Sequence, residues 1–132
     1  MLFRSAFRAV TDAFRLPRGT EEEQTARQAA ITQALANAAW PPAQVISVAG
    51  MVVDLAEALV VIGNWNVLSD VAAAAESARA AAATARVNVE VNLAGISDEQ
   101  TSLEMIAETG KADGIIERAG RITASVRDQI RG

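Results

Sequence analysis

PPAQVISVAGMVVDLAEALVVIGNWN, residues 41–66, is the longest apolar run in the chain and decides its fold class. Pro41 and Pro42 suit the first turn of a helix, where a missing N–H breaks no bond. Gly63 and Asn64 suit its C-terminal end. Between them the sequence predicts a helix of about 20 residues, roughly 30 Å long. On a helical wheel Ser47, Gly50, Asp54 and Glu57 fall together as one narrow polar stripe. Val45, Val48, Met51, Val52, Leu55, Leu59 and Ile62 cover most of the remaining circumference. A helix of this kind is expected to be buried on nearly every side.

Three environments satisfy such a helix. One is the core of a helical domain, with the acidic stripe reaching solvent. Another is an oligomer in which the stripe faces a partner. The third is a membrane, since the length fits a bilayer and Trp40 and Trp65 flank the run as interfacial aromatics do. Against an isolated span stand Asp54 and Glu57, each costing about 2.5–3.5 kcal/mol on insertion scales. Only a bundle with a watery interior would shelter them.

Working outward, residues 67–86 contain VAAAAESARAAAATAR, and ten of the fourteen residues from Ala72 to Ala85 are alanine. Helix propensity is very high there. Small side chains let a neighbouring helix approach closely, so this surface is expected to pack on the central one. Val87-Asn88-Val89-Glu90-Val91-Asn92-Leu93 then breaks the pattern. Val87, Val89, Val91 and Leu93 alternate with polar residues, the period-2 signature of a half-buried strand. With no second strand in the chain, its partner would be the same strand of another subunit.

On the other side, residues 1–18 read as a basic amphipathic helix. Phe3, Phe7, Val10 and Phe14 make one apolar stripe, with four arginines against one aspartate around it. The stripe suits a membrane surface, a partner's groove or the chain's own core. Pro17-Arg18-Gly19 closes the segment as a hinge. Thr20 and Glu23 form a capping box that opens a helix to about Ala38, and residues 37–42 connect it to the central helix. Ser97 and Gln100 form another capping box, whose helix should stop at Gly110. Residues 112–131 form the last helix, with Ile115, Ala119, Ile122, Val126 and Ile130 on one face and charges on the other.

Composition narrows the function. The 132 residues are 51% hydrophobic but only 4% aromatic, so alanine supplies much of the core and association would bury more. A net charge of −4 argues against nucleic-acid binding, which needs clustered positive charge. There is no cysteine and no histidine. The acidic pairs Asp54/Glu57 and Glu104/Glu108 each share a helix face, yet neither has the His or Cys companions of a metal site or a nucleophile–base pair. No glycine pattern resembles a phosphate-binding loop. Arginine and alanine at this level suit a GC-rich bacterial or phage genome.

The sequence therefore predicts a mainly α fold, with four to five helices around a hydrophobic central helix and one short extended segment pairing between subunits. It divides into an N-terminal helix or arm, residues 1–19, and a helical domain, residues 20–132. The leading functional expectation is a non-enzymatic structural subunit that self-assembles, of virion or secretion type. The alternatives are a membrane-active helical protein (pore, holin-like or ejection-type) and a soluble helical adaptor. Expected partners are further copies or a larger protein assembly, with a membrane surface as the alternative. No nucleic acid, small-molecule substrate, cofactor or metal is expected. Localisation stays open between cytoplasm, virion and membrane.

Overall fold

The computed structural model describes residues 2–132, with side chains from Phe3 onward. Met1, included in the expected N-terminal helix, lies outside the described residues. The regular structure among them is helical: α1 (Leu2–Phe14), α2 (Glu21–Ile62), a single 3-10 turn at Trp65–Val67, α3 (Leu68–Leu93) and α4 (Glu99–Arg131). The expectation of a mainly α fold holds.

Helix α2 starts where the sequence places it. The Thr20 hydroxyl accepts from the Glu23 amide at 3.1 Å, and the Glu23 carboxylate accepts from the Thr20 amide at 3.2 Å. Three glutamates occupy the first turn, at the positive end of the helix dipole. The helix ends at Gly63, which adopts the left-handed φ of 67° that favours glycine. The break expected between Ala38 and Ala43 is absent, and one helix of 42 residues runs through Pro41 and Pro42. Two backbone hydrogen bonds are forfeited there. Both prolines are buried, and Ala39 and Ala43 beside them belong to the main core, so packing holds the helix together across the gap.

Helices α2, α3 and α4 form an up-down-up bundle. Glu76 and Arg86 of α3 meet Thr123 and Asp113 of α4, so those two helices run antiparallel. Arg118 and Gln129 of α4 reach Glu57 and the Val60 carbonyl of α2, so those two run parallel. The alanine helix supplies the flat central surface. Ala75, Ala78, Ala82, Ala85 and Val89 are all buried, at spacings of three and four residues. They pack against Ile46, Val53 and Val60 of α2 and Met105, Ile115 and Ile122 of α4.

This periodicity corrects the strand expectation for Val87, Val89, Val91 and Leu93. Residues 87–93 are the last two turns of α3. Val89 continues the buried row after Ala85, while Val87 and Val91 point to solvent. A helix already running through ten alanines and their neighbours propagates cheaply, because only nucleation is costly. The alternation of seven residues is too short to outweigh it. The segment has no free ladder edge to offer a second subunit.

Helix α4 likewise absorbs two expected helices. Asp98, rather than Ser97, caps it, its carboxylate accepting from the Thr101 amide at 2.7 Å and the Thr101 hydroxyl at 2.6 Å. Those hydrogen bonds hold the Asp98 carboxyl below its ordinary pKa. Gly110 does not stop the helix, because the buried row Met105, Ala112, Ile115, Ala119, Ile122 and Val126 continues across it. Ile130, expected on that face, is exposed.

Helix α1 packs on the first half of α2 through Ala13, with Val10 beside it, against Ile31 and Ala34. Its phenylalanines do not form the contact. Phe3, Phe7 and Phe14 are exposed, Phe7 by 74%. Arg27 of α2 fastens the end of α1 instead, donating to the Phe14 carbonyl at 3.2 and 3.3 Å with its guanidinium 5.6 Å above the Phe14 ring. The second half of α2 also departs from expectation. Only one side of it is buried, and the opposite side is open.

Candidate active site

The polar stripe of α2 is where the bundle places its densest interhelical charge. Asp54 and Glu57 are three residues apart and share a face. Arg118 of α4 reaches across to both. Its Nη2 donates to Asp54 Oδ1 at 2.5 Å and to Glu57 Oε2 at 2.6 Å, while its Nε donates to Glu57 Oε1 at 2.8 Å. The guanidinium thus grips Glu57 with two parallel bonds, the geometry that makes arginine–carboxylate pairs strong. The Arg118 hydrogen bonds push the Glu57 carboxyl below its ordinary pKa, against the opposing effect of desolvation. In return Glu57 first, then Asp54, raise the pKa of Arg118.

Beside this cluster an open cleft of about 340 Å³ lies between α2 and α4. Ser47, Gly50, Met51 and Asp54 line one wall, and Lys111, Gly114 and Arg118 the other. Gly50 permits the close approach of the two helices: a Cβ there would sit 3.3 Å from Ile115 Cδ1. Lys111 is held by Glu108 at 2.5 Å. Ser47 and Asp54 therefore reach the cleft, while Glu57 secures the arginine at its end. A second groove, of about 680 Å³, lies between α2 and α3 and has no charged residue in its lining. Among the described residues no three His, Cys, Asp or Glu side chains are grouped to hold a metal.

Sequence reasoning found Ser47, Asp54 and Glu57 but missed Arg118 and Lys111. It placed Arg118 on the charged face of the last helix and gave it no partner, because α4 was read without a register against α2. The available signal was charge. Between Arg27 and Asp70 the only charged residues are Asp54 and Glu57, and such a pair calls for a cation from elsewhere in the fold. The other candidate stripe, Phe3, Phe7, Val10 and Phe14, stays apart from this cluster, and only Phe3 borders the apolar groove.

Fold and cleft together define a helical-bundle protein with a charged, small-molecule-sized site between two parallel helices. The chain belongs to the formiminotransferase-cyclodeaminase family, whose sequence model matches residues 4–111. It is 36% identical over 126 residues to a methenyltetrahydrofolate cyclohydrolase from Methylorubrum extorquens, a match covering 96% of this chain and 59% of that protein. Its fold is similar to that of formiminotetrahydrofolate cyclodeaminase from Thermotoga maritima, with a TM-score of 0.79 and 29% identity, covering 98% of this chain and 61% of that one. The chain thus spans about three-fifths of the length of these relatives.

These findings correct the functional expectations. The structural subunit of a virion or secretion assembly gives way to a family whose named relatives are enzymes. The membrane-active and adaptor alternatives give way with it. So does the expectation of no small-molecule substrate, since both relatives are named for folates. Helix α2 does carry an 18-residue window with a mean hydropathy of 2.3, long and apolar enough to cross a bilayer. The same length and hydropathy occur in core helices, and α2 contributes Ile46, Val53 and Val60 to the core.

Proposed function

We propose that this chain acts on a reduced folate bearing a one-carbon unit, opening or closing the ring through that unit at the cleft between α2 and α4. The observation that carries this reading is the 36% identity to the cyclohydrolase along 96% of the chain. The geometry supports it. Ring opening by water needs a base to take a proton from the attacking water and an acid to return one to the departing ring nitrogen. Ring closure with loss of ammonia needs the same proton traffic around the same carbon.

Of the two carboxylates, Glu57 is the more fully engaged. Arg118 engages both its oxygens and lowers its pKa. Asp54 is held through Oδ1 alone and lines the cleft, so Oδ2 is the oxygen assigned to the proton. Arg118 is a positioning residue that fixes the rotamer of Asp54. Ser47 and Lys111 supply a hydroxyl and a cation for the polar parts of the folate.

The test is turnover by the full protein with methenyltetrahydrofolate and with formiminotetrahydrofolate, followed through the methenyl chromophore. One of the two should be converted well above the uncatalysed rate. Asp54→Asn should lower kcat by about 10²–10⁴-fold, the usual contribution of a positioned acid or base. Its helical circular dichroism should be unchanged. Failure of the wild-type protein to convert either compound would overturn the proposal.

A further inference from the structure

Helix α4 holds three glycines, Gly110, Gly114 and Gly120, well inside its 33 residues. Glycine in a helix interior is less stable than alanine, because it has more backbone freedom to lose. Two structural needs commonly offset that loss: a left-handed backbone, or the close approach of another helix. Gly50 of α2 answers to the second, since Ile115 Cδ1 lies 3.3 Å from where its Cβ would stand. Gly114 answers to neither. Its backbone is helical and its φ is not positive. A Cβ built on it would meet nothing beyond its own turn of helix within 4 Å. Yet it lines the cleft, between Lys111 and Arg118. We propose that Gly114 is left bare for the substrate, whose flat ring lies against the α4 backbone there.

The shape of the cleft fits that task. The buried Ile46 and Ile115 form an apolar floor, and Gly50 and Gly114 keep the two walls low above it. An apolar slot with a few polar groups at its edge suits a flat, rigid ligand. Position fits as well. Gly114 comes one turn before Arg118, about 6 Å along the axis. Arg118 in turn holds Asp54 at 2.5 Å. The pyrimidine ring of a reduced folate stays flat, and the nitrogens that carry the one-carbon unit lie about a ring's width from it. With the pyrimidine at Gly114, the one-carbon unit comes within reach of the Asp54 carboxylate. This assignment rests on the folate reading.

One added methyl group at Gly114 therefore has two effects. It strengthens the helix, and it fills the space in which the ring would lie. Stability rises while binding falls, a pair of changes that a purely structural glycine does not produce. The same helix supplies its own control. A Cβ at Gly120 would also meet nothing within 4 Å, but Gly120 does not line the cleft.

Thermal unfolding and steady-state kinetics of the full protein test this, with whichever of methenyltetrahydrofolate and formiminotetrahydrofolate the wild type converts. Gly114→Ala should raise Tm by roughly 3–5 °C. It should also raise KM by about 10-fold or more with kcat nearly unchanged, the pattern of lost binding rather than lost chemistry. Gly120→Ala should give a similar gain in Tm with KM unaltered. A Gly114→Ala protein with the wild-type KM overturns the inference. An equal rise of KM in both variants also overturns it, because a stiffer α4 would then be the cause. So does a lower Tm in Gly114→Ala, which would show that the glycine serves the fold. Turnover by the wild type separates the two proposals. An active wild type with an unaffected Gly114→Ala defeats this inference alone, whereas a wild type that converts neither compound defeats the folate reading and this inference with it.

Discussion

Arg118→Met removes the guanidinium while keeping an apolar stem of similar length, so it isolates the charge of the cluster from its packing. Three hydrogen bonds, at 2.5, 2.6 and 2.8 Å, are lost. Bonds to charged groups contribute about 1.5–3 kcal/mol when shielded from water. Exposed ion pairs contribute about 0.2–1 kcal/mol. The side chains of Arg118, Glu57 and Asp54 are 32%, 42% and 65% exposed, which places the cluster nearer the second figure. A total of about 1–2 kcal/mol follows, and for a chain of this size that lowers Tm by roughly 4–8 °C. The pH dependence has a definite sign. The folded pKa of Glu57 lies below its ordinary value of 4.5, so the stabilisation is present above that value and disappears as pH falls through the folded pKa. Thermal unfolding by circular dichroism should therefore show wild type and variant separated at pH 7 and converging in strong acid. Placing Arg118→Met in a Glu57→Gln background should shrink the gap, since the two residues share one network. A gap that persists unchanged at low pH would refute the reasoning and show that Arg118 acts through packing.

Two further substitutions probe the corrected fold. Gly95 follows α3 where the chain turns past α2, and a Cβ there would fall 2.0 Å from Leu35 Cδ1. Gly95→Ala should force Leu35 aside and cost about 1–3 kcal/mol in urea unfolding, as overpacking does; a stability equal to wild type would mean Leu35 swings away freely. Val89→Pro falls inside α3, where proline costs about 3 kcal/mol or more and the buried row of the bundle is interrupted. It should lower helix content and Tm together, whereas loss of oligomer with intact helicity would restore the strand that the sequence suggested.

The parts of the fold legible in the sequence are those written locally. Thr20 and Glu23 specify their capping box within four residues, Gly63 specifies a helix end, and the alanine run specifies a small-residue surface. The errors came where a local signal met a longer pattern. Pro41 and Gly110 are helix punctuation in isolation, but each sits within a buried row that continues on both sides. Val87 to Leu93 alternates over seven residues, yet Ala78, Ala82, Ala85 and Val89 recur at helical spacing across that boundary. In each case the side chains that bury across three helices outweigh a preference of about 1–3 kcal/mol at one residue.

The site was legible only in half. Asp54 and Glu57 stand out because a long neutral helix surrounds them, and a pair of carboxylates in such a setting needs a reason. Their cation lies more than sixty residues away, and only the register of α4 against α2 brings it within reach. Chemistry built this way leaves no short motif. Moving protons around a one-carbon unit needs no metal and no covalent nucleophile, so the absence of histidine and cysteine excludes less than the sequence reading assumed. On the reading proposed above, Asp54, held at one oxygen by Arg118 at the edge of the cleft, is the group that carries the proton. Asp54→Asn with Arg118 intact separates the proton-transfer group from its holder. It should lower kcat as stated above without the loss of stability that Arg118→Met produces, because the Glu57 pair would survive it.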